Sequence, residues 1–510
     1  MTTNASFNTS AILDADMIST TIDSIKETYG EPDKKNLYAY AVVIAKTTEC
    51  LQYLDDKEQF EIFSPETGNW IIVSKQRMPK LIQNAVYVIN KHTSDEHVKS
   101  VKSVKSEESE ESEEPVRPQD ISKIKQILEC LKIEMSGKPV QRPKVGIIHV
   151  ANGFLEPICQ DGVWQWRCIP NEDGREFYFR TSFETEYHPE AQCPIWLAFL
   201  DSAGLQRDDQ QFLQKYCGQI ILGLGNRSQR ILLADGASGT GKSTLGRILC
   251  NILGKENFAI LHGDSLGSRS DLARYHDKRC ILGMDVPRDV LLKKGGILKA
   301  LTGGDYLQGA LHGSDREVGF EGNLSVILIS NDRLRLKLDG PNDVSAFRRR
   351  LASITFSPSK DANISSPTAL IDKLKAEASG ILNWMLEGAL LVHEHGGAID
   401  LTPEQKHRVE AILGEAKTGE AFVEECVEDG KQKECITVQE LTDAYERFCI
   451  RKEWEPLSER NAFKEIKEAI FRKFPKQRLR HDITPKTKKT GKKTGKKTTQ
   501  RGFKGLIIKQ

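Results

Sequence analysis

The chain has 510 residues, 38% of them hydrophobic and 28% charged. This is the balance of a soluble globular protein too long for one core, with about two to four domains expected. It has no apolar run long enough to span a membrane and no secretory signal at its start, and its eleven cysteines include no C-x-x-C pair. A membrane partner, a zinc ribbon and a disulfide framework are therefore not expected, and free thiols in a reducing cytoplasm (the host cell's, if a phage, plasmid or virus encodes the chain) are. The formal net charge of +1 hides an asymmetry: residues 471–510 carry 15 Lys/Arg against one acid, a local charge of +14 that leaves −13 on the rest. One end of the chain is built to meet an anion.

In chain order, residues 1–35 carry no readable motif. From 36 to 92 the texture is mixed α/β. Phe60–Phe63 and the run ending at Val73 predict two short strands about a Gly-containing turn, and 78–90 has helical spacing. The stretch 101–118 is acidic, with six Glu in the eight residues 107–114; self-repulsion predicts an extended linker or long surface loop. Beyond it, 119–132 reads as a helix, 145–150 and Phe177–Arg180 as short strands, and 194–201 as a helix with Pro194 in its first turn. Residues 36–202 are thus read as an α+β domain interrupted by the acidic linker, with no repeat of 20–50 residues.

Between 203 and 360 short apolar runs alternate with helical stretches, the texture of a mostly parallel sheet with helices on both faces. Ile231–Ala234 reads as a buried strand, and Gly236-Ala-Ser-Gly-Thr-Gly-Lys-Ser243 then has the phosphate-loop spacing. Glycines allow the tight turn that converges amide groups on phosphates at a helix N-terminus. Lys242 can reach the β- and γ-phosphates, the Ser243 hydroxyl can ligate Mg²⁺, and Thr244 can support the helix start. The site expected from this is Gly236, Ala237, Ser238, Gly239, Thr240, Gly241, Lys242, Ser243 and Thr244, with ATP and Mg²⁺ as ligands.

Three further runs each end in a polar residue. Cys280–Met284 ends in Asp285, where an acid can hold Mg²⁺; Leu324–Ser330 ends in Asn331, which can orient an attacking water; and Arg348-Arg-Arg350 follows, a source of transition-state stabilisation from a neighbouring subunit. Each of the three has a plainer reading as a surface Asp, a turn former and a solvated basic face. Their common order is what gives them weight.

With these residues in place, the chain resembles the superfamily 3 helicases. Leu298-Lys-Ala-Leu-Thr-Gly-Gly-Asp305 is similar to that family's extra motif, and Phe347-Arg-Arg-Arg-Leu-Ala-Ser-Ile-Thr-Phe356 to the end of its core. Upstream, Val150-Ala-Asn-Gly-Phe154 and Tyr187–Trp196 resemble the domain before the ATPase in phage and plasmid primase–helicases and the poxvirus primase–helicase. The resemblance covers roughly 145–356, and 36–100 weakly. It implies an AAA+-type core over 203–360 that assembles into a ring, commonly a hexamer, binds nucleotide between subunits and moves along single-stranded DNA, usually 3′ to 5′.

By the same resemblance Asp285 supports Mg²⁺, Asn331 is the sensor, and Arg349 or Arg350 is the finger supplied in trans. Gly309–Arg316 would form a hairpin facing the channel, with His312 and Arg316 on phosphates. Two departures stand out. Val286 replaces a second acid after Asp285, so the water-polarising residue is unassigned, and the roughly 140 residues before Val145 are too short and broken for a primase domain.

Residues 361–430 read as a helical connector and 431–510 as a basic winged-helix DNA-binding domain. Helices at 437–451 and 459–474, the second with Ser458 as N-cap, precede strands at Gln477–Ile483 and Phe503–Ile508 around a lysine-rich loop. Lys464 and Lys467 on the second helix, and Lys488, Lys489, Lys492 and Lys493 in the loop, are the expected DNA contacts, mostly to phosphates. The alternative there is a disordered solubilising tail.

The function expected is an ATP-dependent replicative helicase of a mobile element, phage or virus. It would act on single-stranded and forked DNA as a homo-oligomer, with origin DNA and host replication proteins as further candidate partners. The competing classes are an ATP-gated DNA-binding oligomer without unwinding activity and a small-molecule kinase.

Overall fold

The computed structural model describes residues 15–33, 35–48, 50–101, 120–141, 146–223, 225–261, 268–287, 290–310, 317–332, 334, 341–357, 367–415, 418–431, 434–452, 454, 456–483 and 500–509. The chain divides into two units, Met1–Glu190 with Ile252–Gly254, and Ala191–Asn251 with Lys255–Gln510.

In the first unit, α1 (Ala15–Tyr29) and α2 (Leu37–Thr47) lead into an antiparallel meander of β1 (Leu51–Leu54), β2 (Gln59–Ser64) and β3 (Asn69–Ile72). Helices α3 (Met78–Val101) and α4 (Ile121–Met135) follow. Met78, Ile82, Val86 and Ile89 on α3, and Ile124, Ile127, Leu131 and Met135 on α4, recur at helical spacing and share a core with the buried face of α2. The expected helix 78–90 therefore runs on to Val101; residues 102–118 of the expected linker lie outside the described residues. A second meander comprises β4 (Ile148–Val150), β5 (Gly153–Gln160) and β6 (Val163–Ile169).

The strand expected at Phe177–Arg180 does not form. Instead, isolated groups of this segment accept and donate: Phe179 O accepts from Trp70 N (2.7 Å) and Phe177 O from the Trp70 indole (3.2 Å). The fully buried Glu61 carboxylate accepts from Arg180 (2.6 Å), Tyr178 (2.8 Å) and Gln52 (3.0 Å), the pairing a buried charge requires.

The second unit opens with α5 (Pro194–Ser202) and α6 (Arg207–Leu222). Its central part runs β7 (Ile231–Asp235), α7 (Lys242–Leu253), β8 (Phe258–Ile260), α8 (Arg269–Tyr275), β9 (Cys280–Gly283) and α9 (Val290–Gly303), then the hairpin β10 (Tyr306–Ala310) and β11 (Glu317–Glu321), then β12 (Ser325–Ile329), α10 (Pro341–Arg350) and β13 (Leu351–Thr355). Five strands form one sheet in the order β13-β7-β12-β9-β8, and every pairing is parallel. Strands β9 and β12 are buried along their whole length, as the continuous apolar runs require.

Helices α11 (Pro367–Ala376), α12 (Ala378–Glu394) and α13 (Pro403–Glu415) follow. A Cβ on Gly388 would sit 2.2 Å from Gln214 O, and one on Gly218 2.3 Å from Ala389 N, so only glycine permits the close approach of α6 and α12.

The chain ends with α14 (Thr418–Cys426), β14 (Val427–Asp429), β15 (Cys435–Thr437), α15 (Val438–Arg451), α16 (Glu459–Lys473), β16 (Arg480–Ile483), β17 (Gln500–Lys504) and β18 (Leu506–Ile508). Thr437 and Glu440 form a full capping box on α15. Ser458 stands at the N-cap of α16, but its side chain makes no capping bond.

The single strand expected at Phe503–Ile508 is two. Gly505, at φ 79°, turns the chain so that β17 pairs with β15 and β16 while β18 pairs with β14. Phe422, Val423 and Val427, within the expected connector, share a core with Phe448, Ile466 and Phe503. Among the described residues no helix is long and apolar enough to cross a membrane.

Candidate functional site

The loop Gly236–Gly241 joins the end of β7 to the start of α7, at the carboxyl edge of the sheet where α/β folds bind ligands. Gly236 and Gly241 hold φ angles of 144° and 99°. A Cβ on Gly236 would lie 2.3 Å from Phe356 O, and one on Gly241 2.8 Å from the Phe199 ring. The cradle therefore requires glycine at both positions, as the sequence spacing implies.

Lys242 is buried and turned back into the loop. Its ammonium donates to Gly236 O and Ala237 O, both at 2.6 Å, and to Thr240 Oγ1 at 3.2 Å, while Thr240 donates to Ala237 O at 2.9 Å. Burial lowers the Lys242 pKa from its ordinary value, and the nearby Asp235 and Asp285 carboxylates oppose that shift. Ala237, Ser238, Gly239 and Ser243 are exposed along the rim, and Thr244 is buried beneath them.

The strand order brings two distant residues to this loop. Strand β12 lies between β7 and β9, so the residue after β12 stands between the loop and the residue after β9. Asn331 Nδ2 donates to Asp285 Oδ1 at 3.3 Å. The backbone beneath them is fixed by Val286 N to Ile329 O (2.9 Å), Ser330 N to Ala234 O (3.1 Å) and the Ser330 hydroxyl to Val286 O (3.1 Å).

Lys242, Ser243, Asp285 and Asn331 all line one cleft of 540 Å³. The glycine cradle, the lysine and a facing hydroxyl and carboxylate form a donor set that fits a triphosphate with a hard divalent cation.

The arginine trio is divided. Arg348 forms a two-pronged ion pair with Glu410 on α13, at 2.5 and 3.0 Å. Arg350 is buried, donates to Ala346 O at 3.2 Å and lies against Gly303, at the end of the Leu298–Asp305 motif. Burial lowers the Arg350 pKa, and neighbouring Arg349 lowers it further. Arg349 is exposed.

Of the expected DNA contacts, His312, Arg316, Lys488, Lys489, Lys492 and Lys493 lie outside the described residues. The strands that flank the first two in sequence, β10 and β11, pair antiparallel from Tyr306↔Glu321 to Ala310↔Glu317. On α16, Lys464 is exposed, whereas Lys467 is half-buried with its ammonium 5.6 Å from the Phe471 ring centre.

Other cations of the same helix have structural work. Arg472 pairs with Glu420 at 2.8 Å, and Lys473 donates to Val423 O, Glu424 O and Val427 O, closing the end of α14. Lys476, Arg478, Arg480 and Lys504 line a separate open groove of 1010 Å³ beside β16, together with Asp429 and Asp482.

Sequence reasoning missed several cleft residues. Arg247 lies one turn after Ser243 on α7, and helical spacing alone could have found it. Phe199 of α5 and Leu370 and Ile371 of α11 carried no local signal. Glu377, just before α12, accepts from Ile195 N and Trp196 N, both at 2.9 Å, and so holds the start of α5.

No protein-family model and no curated protein matches the chain. Among solved structures it is similar to the apo structure of the NrS-1 C-terminal region, at a TM-score of 0.45 and 12% identity, covering 94% of this chain and 100% of that one. Two A-form apo structures of the same region match at TM-scores of 0.44 and 0.42, each 12% identical and 99% covered, over 92% and 93% of this chain.

Proposed function

We propose that the chain is an ATP-hydrolysing DNA helicase of the superfamily 3 type, with an AAA+-type core and a C-terminal winged-helix module. It would assemble as a ring, most simply a hexamer, on single-stranded and forked DNA in the replication of a phage, virus or other mobile element, with 3′-to-5′ movement as the expected direction. The observation that carries this reading is the meeting of the Gly236–Ser243 loop with Asp285 and Asn331 in one cleft, at the ends of three adjacent strands.

In this reading the loop amides and the start of α7 receive the β- and γ-phosphates. Lys242 exchanges its carbonyl partners for phosphate oxygens. Ser243 and Asp285 would hold Mg²⁺, which supplies charge neutralisation at the phosphates. Asn331 orients the attacking water beside the γ-phosphate.

Arg349 is the better finger, because a group acting on a neighbouring subunit's nucleotide must reach solvent, and the Arg350 guanidinium is buried within its own chain. The exposed Lys464 and the groove with Lys476, Arg478, Arg480 and Lys504 support a phosphate-contacting role for the C-terminal module.

The test is unwinding of a forked duplex by wild type and by Lys242→Ala and Arg349→Ala variants. Wild type separates the strands with ATP, each variant alone does not, and mixtures recover activity because each supplies what the other lacks. ATP hydrolysis with no strand separation would instead support an ATP-gated DNA-binding oligomer.

A further inference from the structure

The last turn of α10 is held on two sides. Phe347 and Arg350, three residues apart on one helix face, are both buried. Phe347 lies beside Gly295 and Arg350 beside Gly303, both on α9. Arg348, about 100° round the helix from Phe347, is pinned on another side by the Glu410 carboxylate of α13. Arg349 follows on the side away from Phe347, and it is exposed.

Helix α13 is itself anchored. Val409, Ile412 and Leu413 are buried, and near its start Gln405 and Arg408 both donate to the buried Asp209 carboxylate of α6, Gln405 at 3.0 Å. Glu410 therefore stands on a fixed element and reaches across to α10. About half of each side chain in the Arg348–Glu410 pair is exposed. Such a pair contributes little to stability. Its two parallel hydrogen bonds nevertheless impose a geometry that a single contact would not.

Resting on the reading of Arg349 as the finger supplied to a neighbouring subunit, we propose that Glu410 is a positioning residue for that finger. Through Arg348 it clamps the end of α10 to α13 and so sets the direction in which Arg349 leaves the helix. A reacting group displaced by about 1 Å can lose about 10²-fold in rate. A contact with little effect on folding can thus carry a large effect on hydrolysis.

The experiment uses the full chain and measures DNA-stimulated ATP hydrolysis, ATP affinity and the thermal midpoint. The proteins are wild type, Arg349→Ala, Glu410→Ala, and Arg348→Glu and Glu410→Arg singly and together. Glu410→Ala is expected to lower kcat about 10–100-fold. Its ATP affinity and midpoint should not change, the signature of an interaction made in the transition state. The exchanged pair should recover most of the rate that each reversed charge alone removes, because the clamp is rebuilt with opposite polarity.

Mixing locates the effect. Glu410→Ala combined with Lys242→Ala should recover hydrolysis, since one chain brings an intact loop and the other a correctly aimed finger. Glu410→Ala combined with Arg349→Ala should not, since both are defective in the same group.

Wild-type hydrolysis by Glu410→Ala would overturn the proposal. So would a loss that Lys242→Ala cannot complement, because Glu410 would then act on its own subunit's cleft. A joint fall in midpoint and rate that the exchange does not repair would make the pair structural and overturn it too. If Arg349→Ala hydrolyses ATP as wild type does, the finger assignment and this proposal fall together, while the loop reading stands. If wild type neither binds nor hydrolyses ATP, the nucleotide-binding reading itself fails.

Discussion

Asn331 and Asp285, 46 residues apart in the chain, meet through a side-chain hydrogen bond of 3.3 Å across two neighbouring parallel strands. The contact fixes the amide and the carboxylate side by side at the edge of the cleft. It also divides their work, since the carboxylate accepts and the amide keeps an oxygen free to accept from water.

Separate substitutions should therefore separate binding from chemistry. Asn331→Ala is expected to leave ATP affinity within a few-fold and to lower kcat by about 10²-fold, the usual worth of a group that positions a proton-transfer partner. Asp285→Asn keeps the shape of the pair but removes the charge, so its loss should appear as a shift of the Mg²⁺ dependence to higher Mg²⁺ concentration. Single-turnover hydrolysis with titrated ATP and Mg²⁺ distinguishes the two.

The neighbours Arg349 and Arg350 should differ in kind. Arg349→Ala, at an exposed position, should leave the thermal midpoint unchanged and abolish ring-dependent hydrolysis. Arg350→Ala removes a buried side chain packed at Gly303 and should cost about 1–3 kcal/mol of stability, the range for a lost buried polar contact. Thermal melts of both variants beside their ATPase rates settle the assignment.

In the C-terminal module, Lys464 and Lys473 lie on one helix and should behave oppositely. Lys473→Ala strips three carbonyls at the end of α14 of their donor and should lower stability by about 1–2 kcal/mol. Lys464→Ala should leave stability unchanged and weaken DNA binding, with the slope of log affinity against log salt reduced by about one. Melts and salt-titrated DNA binding give both readouts.

The buried Cys193 and Cys217 and the half-buried Cys250 predict a pH response. Burial pushes Cys193 and Cys250 up to about 11 and Cys217 up to about 12, from an ordinary value of 9.0. Because these acids ionise later in the folded chain than in the unfolded one, their contribution is complete below pH 9 and is lost as pH rises from about 9 toward 12. The thermal midpoint should fall between pH 8.5 and 10.5 by an amount that shrinks in a Cys217→Ala variant (pH points set by the shift above). Native alkylation at about pH 8 should mark the exposed Cys159 and spare these three.

The cleft at the Gly236–Ser243 loop was legible where its residues are local in sequence. Gly236, Lys242 and Ser243 sit in eight consecutive residues, and Asp285 and Asn331 each end an apolar run, so spacing and texture sufficed. The lining by Phe199 and Leu370 was not legible, because both lie far from the loop in sequence and meet it only through the tertiary fold. Glu377 reads locally as a helix-flanking acid, and only the fold shows that it serves a different helix, α5.

Several strands were also missed, β6 among them. The β6 sequence alternates half-buried Trp164 and Trp166 with exposed residues, a pattern too polar to stand out from a loop. Conversely, Phe177–Arg180 looked like a strand because it is aromatic, and that composition serves packing against the first meander. Arg350 was legible as a charge but not as a buried one.

The most direct measurement is equilibrium binding of ATP with Mg²⁺ to the purified full chain, beside Lys242→Ala and a DNA-stimulated hydrolysis assay. The account predicts saturable binding and hydrolysis by wild type, with hydrolysis reduced by about 10²–10³-fold in the variant, the cost of removing one preorganised phosphate contact. Absence of binding by a folded wild-type chain, or a Lys242→Ala chain that binds and hydrolyses ATP as wild type does, would contradict it.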